Sequence, residues 1–178
     1  MNYVALIRGI MPGNPQMSNA SLCCVIESLG YKNVQAVISS GNVLFSSDDT
    51  NEQQIEEKIS AALRNELDIP GPAIVRSQKE LAVLAAAKPF GEQTHTTKNY
   101  LMVIFLAEEG ERVAVDHPNI SVVHTSAREH CIVTNPAVLP GPKAMQSIEK
   151  TYGKAITTRT WKTVQRILHK MASMPGDR

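Results

Sequence analysis

Aromatic residues make up only 4% of the 178 positions, which argues against extended base-stacking platforms. Cysteine is equally scarce. Cys23, Cys24 and Cys131 cannot build a disulfide framework, and adjacent thiols are poor partners for each other. Reduced thiols in a cytoplasmic setting are therefore expected. Neither sign of charge dominates, with 18 Lys+Arg against 17 Asp+Glu and a formal net charge of +1. That balance excludes a uniformly basic nucleic-acid binder and, with 43% hydrophobic residues, a disordered chain. No apolar run reaches the roughly 18 residues of a membrane-spanning helix, so no membrane partner is expected. Met1-Asn2-Tyr3-Val4 lacks the basic n-region of a secretory signal.

The chemical motifs are also thin. HExxH, CxxC, P-loop, GxSxG and GxGxxG patterns are missing. His95, His117, His124, His130 and His169 show no metal-ligand spacing with the cysteines. His130 and Cys131 are neighbours in a strand-like run, so they should face opposite ways and form no Cys/His dyad. No metal and no cofactor are expected, and the catalytic residues stay unknown.

What the chain does have is a regular succession of elements, in a length that suits one domain or two small ones. NYVALIRGI (2–10) reads as a strand, and the loop MPGNPQM (11–17) breaks it. Ser18 or Asn19 caps a helix to Leu29, with Leu22, Val25, Ile26 and Leu29 on one face and Gly30 as its stop. VQAVISS and VLFSS read as a hairpin around a two-residue Gly41-Asn42 turn. A helix over 51–67 begins among acids that suit its positive end. AIVR (73–76) is a strand, and Ser77 with Glu80 forms a capping box for a helix over 78–88. The order then recurs. There is a strand at 100–107, a weak helix at 109–118, strands at 120–125 and 130–134, a helix at 144–152, a strand at 154–158 and a helix at 159–172. Both halves read β-α-β-β-α-β-α. The expected class is α+β: tandem duplicated ferredoxin-like (βαββαβ) units, 1–90 and 91–178, with antiparallel sheets covered by helices and packed as one body.

Four segments then carry a resemblance: YVALIRGI, VISSGNVLFSS, KPFGEQTHTTKNYLMVIFL and AITTRTWKTVQRIL. In this order and at these distances they resemble the DUF1697 family, bacterial proteins of uncharacterised function, from Tyr3 to about Leu168. Arg8-Gly9, Ser40-Gly41-Asn42-Val43 with Phe45, and Thr158-Arg159 with Trp161 and Thr163 are the most specific groups. The resemblance implies the same duplicated ferredoxin-like fold and no assigned activity. Two departures stand out. The stretch Met11–Gln16 lacks the basic residue typical of the family, and Thr160 replaces its usual Asn.

The strongest physical signal is a basic C-terminal helix. Lys154 to Lys170 holds five Lys/Arg and no acid, whereas Asp48 to Asp68 holds seven acids against Lys58 and Arg64. Near-neutrality therefore hides a dipolar surface. In the reading of 159–172 as helix, Arg159, Lys162, Arg166 and Lys170 share one face, opposite a core stripe of Trp161, Val164, Leu168 and Met171. Thr157 or Thr158 would cap it, leaving a helix start beside Arg159 and Thr160 fit for phosphate or carboxylate. Arg8, which interrupts an apolar strand, and Lys143, at a helix start, are expected to join this rim. The expectation is a non-catalytic cytoplasmic module for an anionic small molecule or nucleic acid. Alternatives are a self-associating structural protein and a small enzyme with its site near Arg8 and Thr157–Arg159. The oligomeric state is left open.

Overall fold

The computed structural model describes residues 1–11, 13–38, 41–110 and 115–175. It is an α+β protein with two four-stranded antiparallel sheets and, among the described residues, five α-helices. The chain divides into two compact units. The first is Met1–Val83 together with the stretch from Arg166 onward, and the second is Leu84–Gln165.

The first unit opens with β1 (Asn2–Ile7), a 3-10 turn (Pro15–Met17) and α1 (Asn19–Ser28). Ser18 Oγ accepts the Ser21 N–H at 3.2 Å, so Ser18 is the cap. Gly30, at φ 86°, follows α1 in a conformation that favours glycine. β2 (Lys32–Ala36), β3 (Asn42–Ser46), α2 (Glu52–Leu67) and β4 (Ala73–Ser77) complete the sheet in the order β2-β3-β1-β4. Tyr3, Ala5, Ile7, Phe45 and Val75 form a core with Leu22, Val25 and Ile26 of α1 and Ile55, Ile59 and Leu63 of α2. Each Val, Leu, Ile or Phe side chain among them contributes about 1.5–3 kcal/mol on burial. The alternate row of Val4, Leu6, Leu44 and Ile74 is buried as well. Burial on both faces is why NYVALI reads as a continuous apolar run.

One turn differs from expectation. Asn42 is not a turn residue but the first residue of β3. It is fully buried, with Nδ2 donating to the Val37 carbonyl at 3.1 Å. The Val37 N–H in turn donates to Asn42 O at 2.8 Å, so the link is longer than two residues. Ser39 and Ser40 lie outside the described residues. Gly41, at φ 71°, packs so tightly that a Cβ there would stand 2.9 Å from the Ile7 carbonyl oxygen.

α3 (Gln78–Ala86) leads into the second unit. Its start is the expected capping box: Ser77 N–H donates to Glu80 Oε2 at 2.8 Å and Glu80 N–H to Ser77 Oγ at 3.3 Å. Then come β5 (Tyr100–Leu106), β6 (Ile120–Thr125), β7 (Glu129–Thr134), α4 (Gly141–Tyr152), β8 (Ile156–Thr160) and α5 (Trp161–Met171). The strand order β6-β7-β5-β8 repeats that of the first sheet. Ile104, Leu106, Ile132 and Ile156 pack with Ala144 and Ile148 of α4. Of the weak helix expected at 109–118, residues 111–114 lie outside the described set, and the described residues 115–118 are not helical.

The two sheets match residue by residue as well as in order. Val4 of β1 stands opposite Arg76 of β4, and Val103 of β5 opposite Arg159 of β8. Arg76 NH1 donates to the preceding carbonyl of Val75 at 2.8 Å, and Arg159 NH1 to that of Thr158 at 2.8 Å. Each arginine is followed by a hydroxyl residue, Ser77 or Thr160, that caps the next helix.

Candidate functional site

The β8–α5 junction departs from the sequence reading in a decisive way. Arg159 and Thr160 belong to β8, and the helix starts at Trp161. The cap is Thr160, whose Oγ1 accepts the Thr163 N–H at 3.3 Å and lies 3.0 Å from Thr163 Oγ1. Thr157 is buried, and Thr158 Oγ1 contacts the Met145 sulfur at 3.7 Å. Strand alternation separates their directions. Arg159 therefore does not share a helix face with Lys162. Its guanidinium turns back onto its own strand, with NH1 at 2.8 Å from Thr157 Oγ1 and from Thr158 O. Burial pulls that guanidinium down to about 10, so it still carries its charge at neutral pH.

The rest of the basic row is as expected. Lys162, Arg166, His169 and Lys170 are exposed on α5. Val164, Ile167 and Met171 form the buried stripe, with Ile167 in the place expected for Leu168, which is half-buried, as is Trp161. Lys143 is exposed in the first turn of α4, a helix whose Pro140 cap supplies no side-chain bond. Arg8 belongs to the first unit and is half-buried just after β1, its N–H donating to Pro72 O at 3.2 Å. Lys143, Thr157, Thr158, Arg159, Thr160 and Lys162 belong to the second unit.

Around the start of α5 lies a group of rings that sequence reasoning missed. The Phe90 and Trp161 ring centroids are 5.4 Å apart, and those of His95 and Tyr100 are 4.3 Å apart. His95 Nδ1 accepts the Leu101 N–H at 3.2 Å, which anchors the imidazole beside β5. Burial, and then the nearby Lys162 charge, hold His95 below its usual value of 6.5. The signal available in the sequence was the pairing of KPFGEQTHTTKNY with TTRTWK as separate recognisable segments. Only the fold shows that they meet.

Other groups offer less. Burial and the Glu129 charge push the Cys131 thiol up to about 12, and burial raises Cys23 as well, so neither is a ready nucleophile. His130 and Cys131 face opposite ways, opposite Ile104 and Val103 respectively. His130 is buried with its ring 5.0 Å from Tyr152. A cleft of about 320 Å³ is lined by Glu108, Glu109, Thr151 and Tyr152 among others. Two carboxylates on its rim disfavour an anion there. In the first unit, Arg76 is wholly buried with NH1 3.6 Å from Glu56 Oε1. Burial pushes the nearby Glu80 carboxyl up, but a hydrogen bond shared with Glu52, bonds donated by the Ser77 N–H and hydroxyl, and the Arg76 charge bring it below its ordinary range. Among the described residues no group of three or more His, Cys, Asp or Glu is placed to hold a metal ion, and no helix is long and apolar enough to cross a membrane.

The model of DUF1697, a protein family of unknown function, matches residues 1–136 of this chain. The chain belongs to DUF1697. The match includes β1 and the β2–β3 hairpin, and it ends ahead of β8 and α5. A solved structure of similar fold is the conserved bacterial protein SP0830 from Streptococcus pneumoniae, at 19% identity and a TM-score of 0.69. The alignment covers 96% of this chain and 98% of that one. No curated protein matches this member of the family.

Proposed function

We propose that this DUF1697 protein is a non-catalytic cytoplasmic module that binds a nucleic-acid backbone along the exposed face of α5. The observation that carries the reading is the row of Lys162, Arg166 and Lys170, all exposed on a helix with no acid from Trp161 to Met171. At four-residue spacing the cations step by about 6 Å, so the row spans about 12 Å. A single small phosphate needs converging donors, whereas a cationic row suits a chain of phosphates. Arg159 leaves the binding set, because its guanidinium is engaged by Thr157 and Thr158. Each unit is read as ferredoxin-like: the first carries the full β-α-β-β-α-β order around its sheet. Self-association through β4 has less support, since the Ala73, Val75 and Ser77 N–H groups are taken by Ser60, Glu56 and Glu80 side chains.

The test is anisotropy of labelled DNA and RNA oligonucleotides across a salt series. Affinity should fall with salt, and the triple variant K162A/R166A/K170A should flatten the log–log slope by about two to three. Absence of binding throughout, or binding untouched by the triple variant, would overturn the reading. Binding of phosphorylated metabolites alone would replace the polymer with a small ligand.

A further inference from the structure

We propose that the surface around Lys162 in the second unit, made by His95, Tyr100 and Trp161, takes unpaired bases, so that the preferred ligand is single-stranded nucleic acid. This rests on the reading of α5 as a phosphate-contacting helix and adds what that helix alone does not supply, a base contact. Scarcity of aromatics over the whole chain does not prevent their concentration in one place. Tyr100 and Trp161 are half-buried, and so is His95. Their rings are held rather than loose. Trp161 packs on buried Phe90, and His95 packs on Tyr100 while accepting the Leu101 N–H. Pairing of Met102 with Thr160 brings the Tyr100 end of β5 to the start of α5.

The chemistry of the patch is that of a single-strand site. Lys162 is exposed and supplies charge for the backbone. His95, held below its usual 6.5 by burial and by Lys162, is a neutral flat ring at pH 7 and adds a stacking face rather than a further cation. Rings beside cations bind single strands because every unpaired base offers a π-face, whereas a duplex hides those faces in its stack. Ring immobility lowers the entropy lost on binding.

Trp161 is the single tryptophan of the chain, so fluorescence excited selectively at tryptophan, beyond the absorption of the tyrosines, reads this surface alone. The probes are oligothymidylate, a duplex of the same length and inorganic polyphosphate, each titrated at low salt. Oligothymidylate should quench Trp161 and bind at least about fivefold more tightly than the duplex, while polyphosphate binds with little quenching. Tyr100→Ala and His95→Ala should each weaken oligothymidylate by about fivefold and leave polyphosphate unchanged. Equal affinity for strand and duplex, with no greater quenching than polyphosphate, would overturn the base contact and leave the α5 reading intact. Failure of all three probes to bind would overturn both. If an aromatic variant fails to fold, the order of the three probes on the unaltered protein decides alone.

Discussion

The Arg159 guanidinium donates to Thr157 Oγ1 and to the Thr158 carbonyl, and that geometry parts it from Lys162, three positions on. One basic residue is half-buried and bonded to its own strand and the other is solvent-facing, although both belong to the same basic run. Arg159→Ala is therefore expected to lower stability by about 1–2 kcal/mol, because it removes two hydrogen bonds from a half-buried guanidinium and strands the buried Thr157 hydroxyl. Lys162→Ala should change stability by less than about 0.5 kcal/mol. Denaturant midpoints separate the two. Equal, negligible losses would show that the Arg159 bonds contribute nothing. Buried Arg76 presents the same lesson in the first sheet. A sequence shows a charge but not whether water reaches it, so the engaged and the solvent-facing cations could not be told apart before the fold was known.

At the level of elements, β4 shows how a sheet edge is closed by side chains. Ser60 Oγ accepts the Ala73 N–H at 3.0 Å and Glu56 Oε1 accepts the Val75 N–H at 2.8 Å. Glu56 also faces buried Arg76. Glu56→Ala should cost about 3 kcal/mol in urea unfolding and open the edge to pairing with another chain, seen as concentration-dependent mass in sedimentation. An unchanged midpoint and mass would refute that role. Glu80 adds a pH dependence to the same corner. Its folded value lies below the ordinary 4.5 of a glutamate, so the folded state holds the carboxylate more firmly than the unfolded chain does. Stability from this group is present above 4.5 and is lost as pH falls through the lower folded value. Glu80→Gln should remove that part of the acid slope, and an unaltered slope in acid titrations monitored by circular dichroism would count against it. The capping box, the Ser18 cap and the periodic core of α1 and α2 were legible in the sequence, because each is a short-range rule. The start of α5 was not. The run Ile156–Met171 has no breaker, and the boundary between strand and helix is set by pairing of β8 with β5.

At the scale of the molecule, the chain order and the contact units do not coincide. The stretch from Arg166 is grouped with the first unit. Within it Ile167, Met171 and Met174 are buried, and Pro175 O accepts the Asn2 amide at 3.2 Å. Truncation after Gln165 should therefore destabilise the N-terminal unit by several kcal/mol, since each lost apolar side chain is worth about 1.5–3 kcal/mol. Hydrogen exchange of the β1 amides would report it, with faster exchange expected. Exchange unchanged by the truncation would show that the tail is dispensable.

The sequence alone determined the α+β class, most of the strands and helices, the family, and the basic character of the C-terminal helix, whereas the helix expected at 109–118 has no counterpart among the described residues. These depend on local periodicity, capping and composition, which are properties of neighbours along the chain. Tertiary structure alone decided which charges are bonded within the protein, that Thr160 rather than Thr157 or Thr158 caps α5, and that His95, Tyr100 and Trp161 gather around Lys162. Those outcomes depend on strand register and on exclusion of water, and both arise only when segments distant in the chain come together.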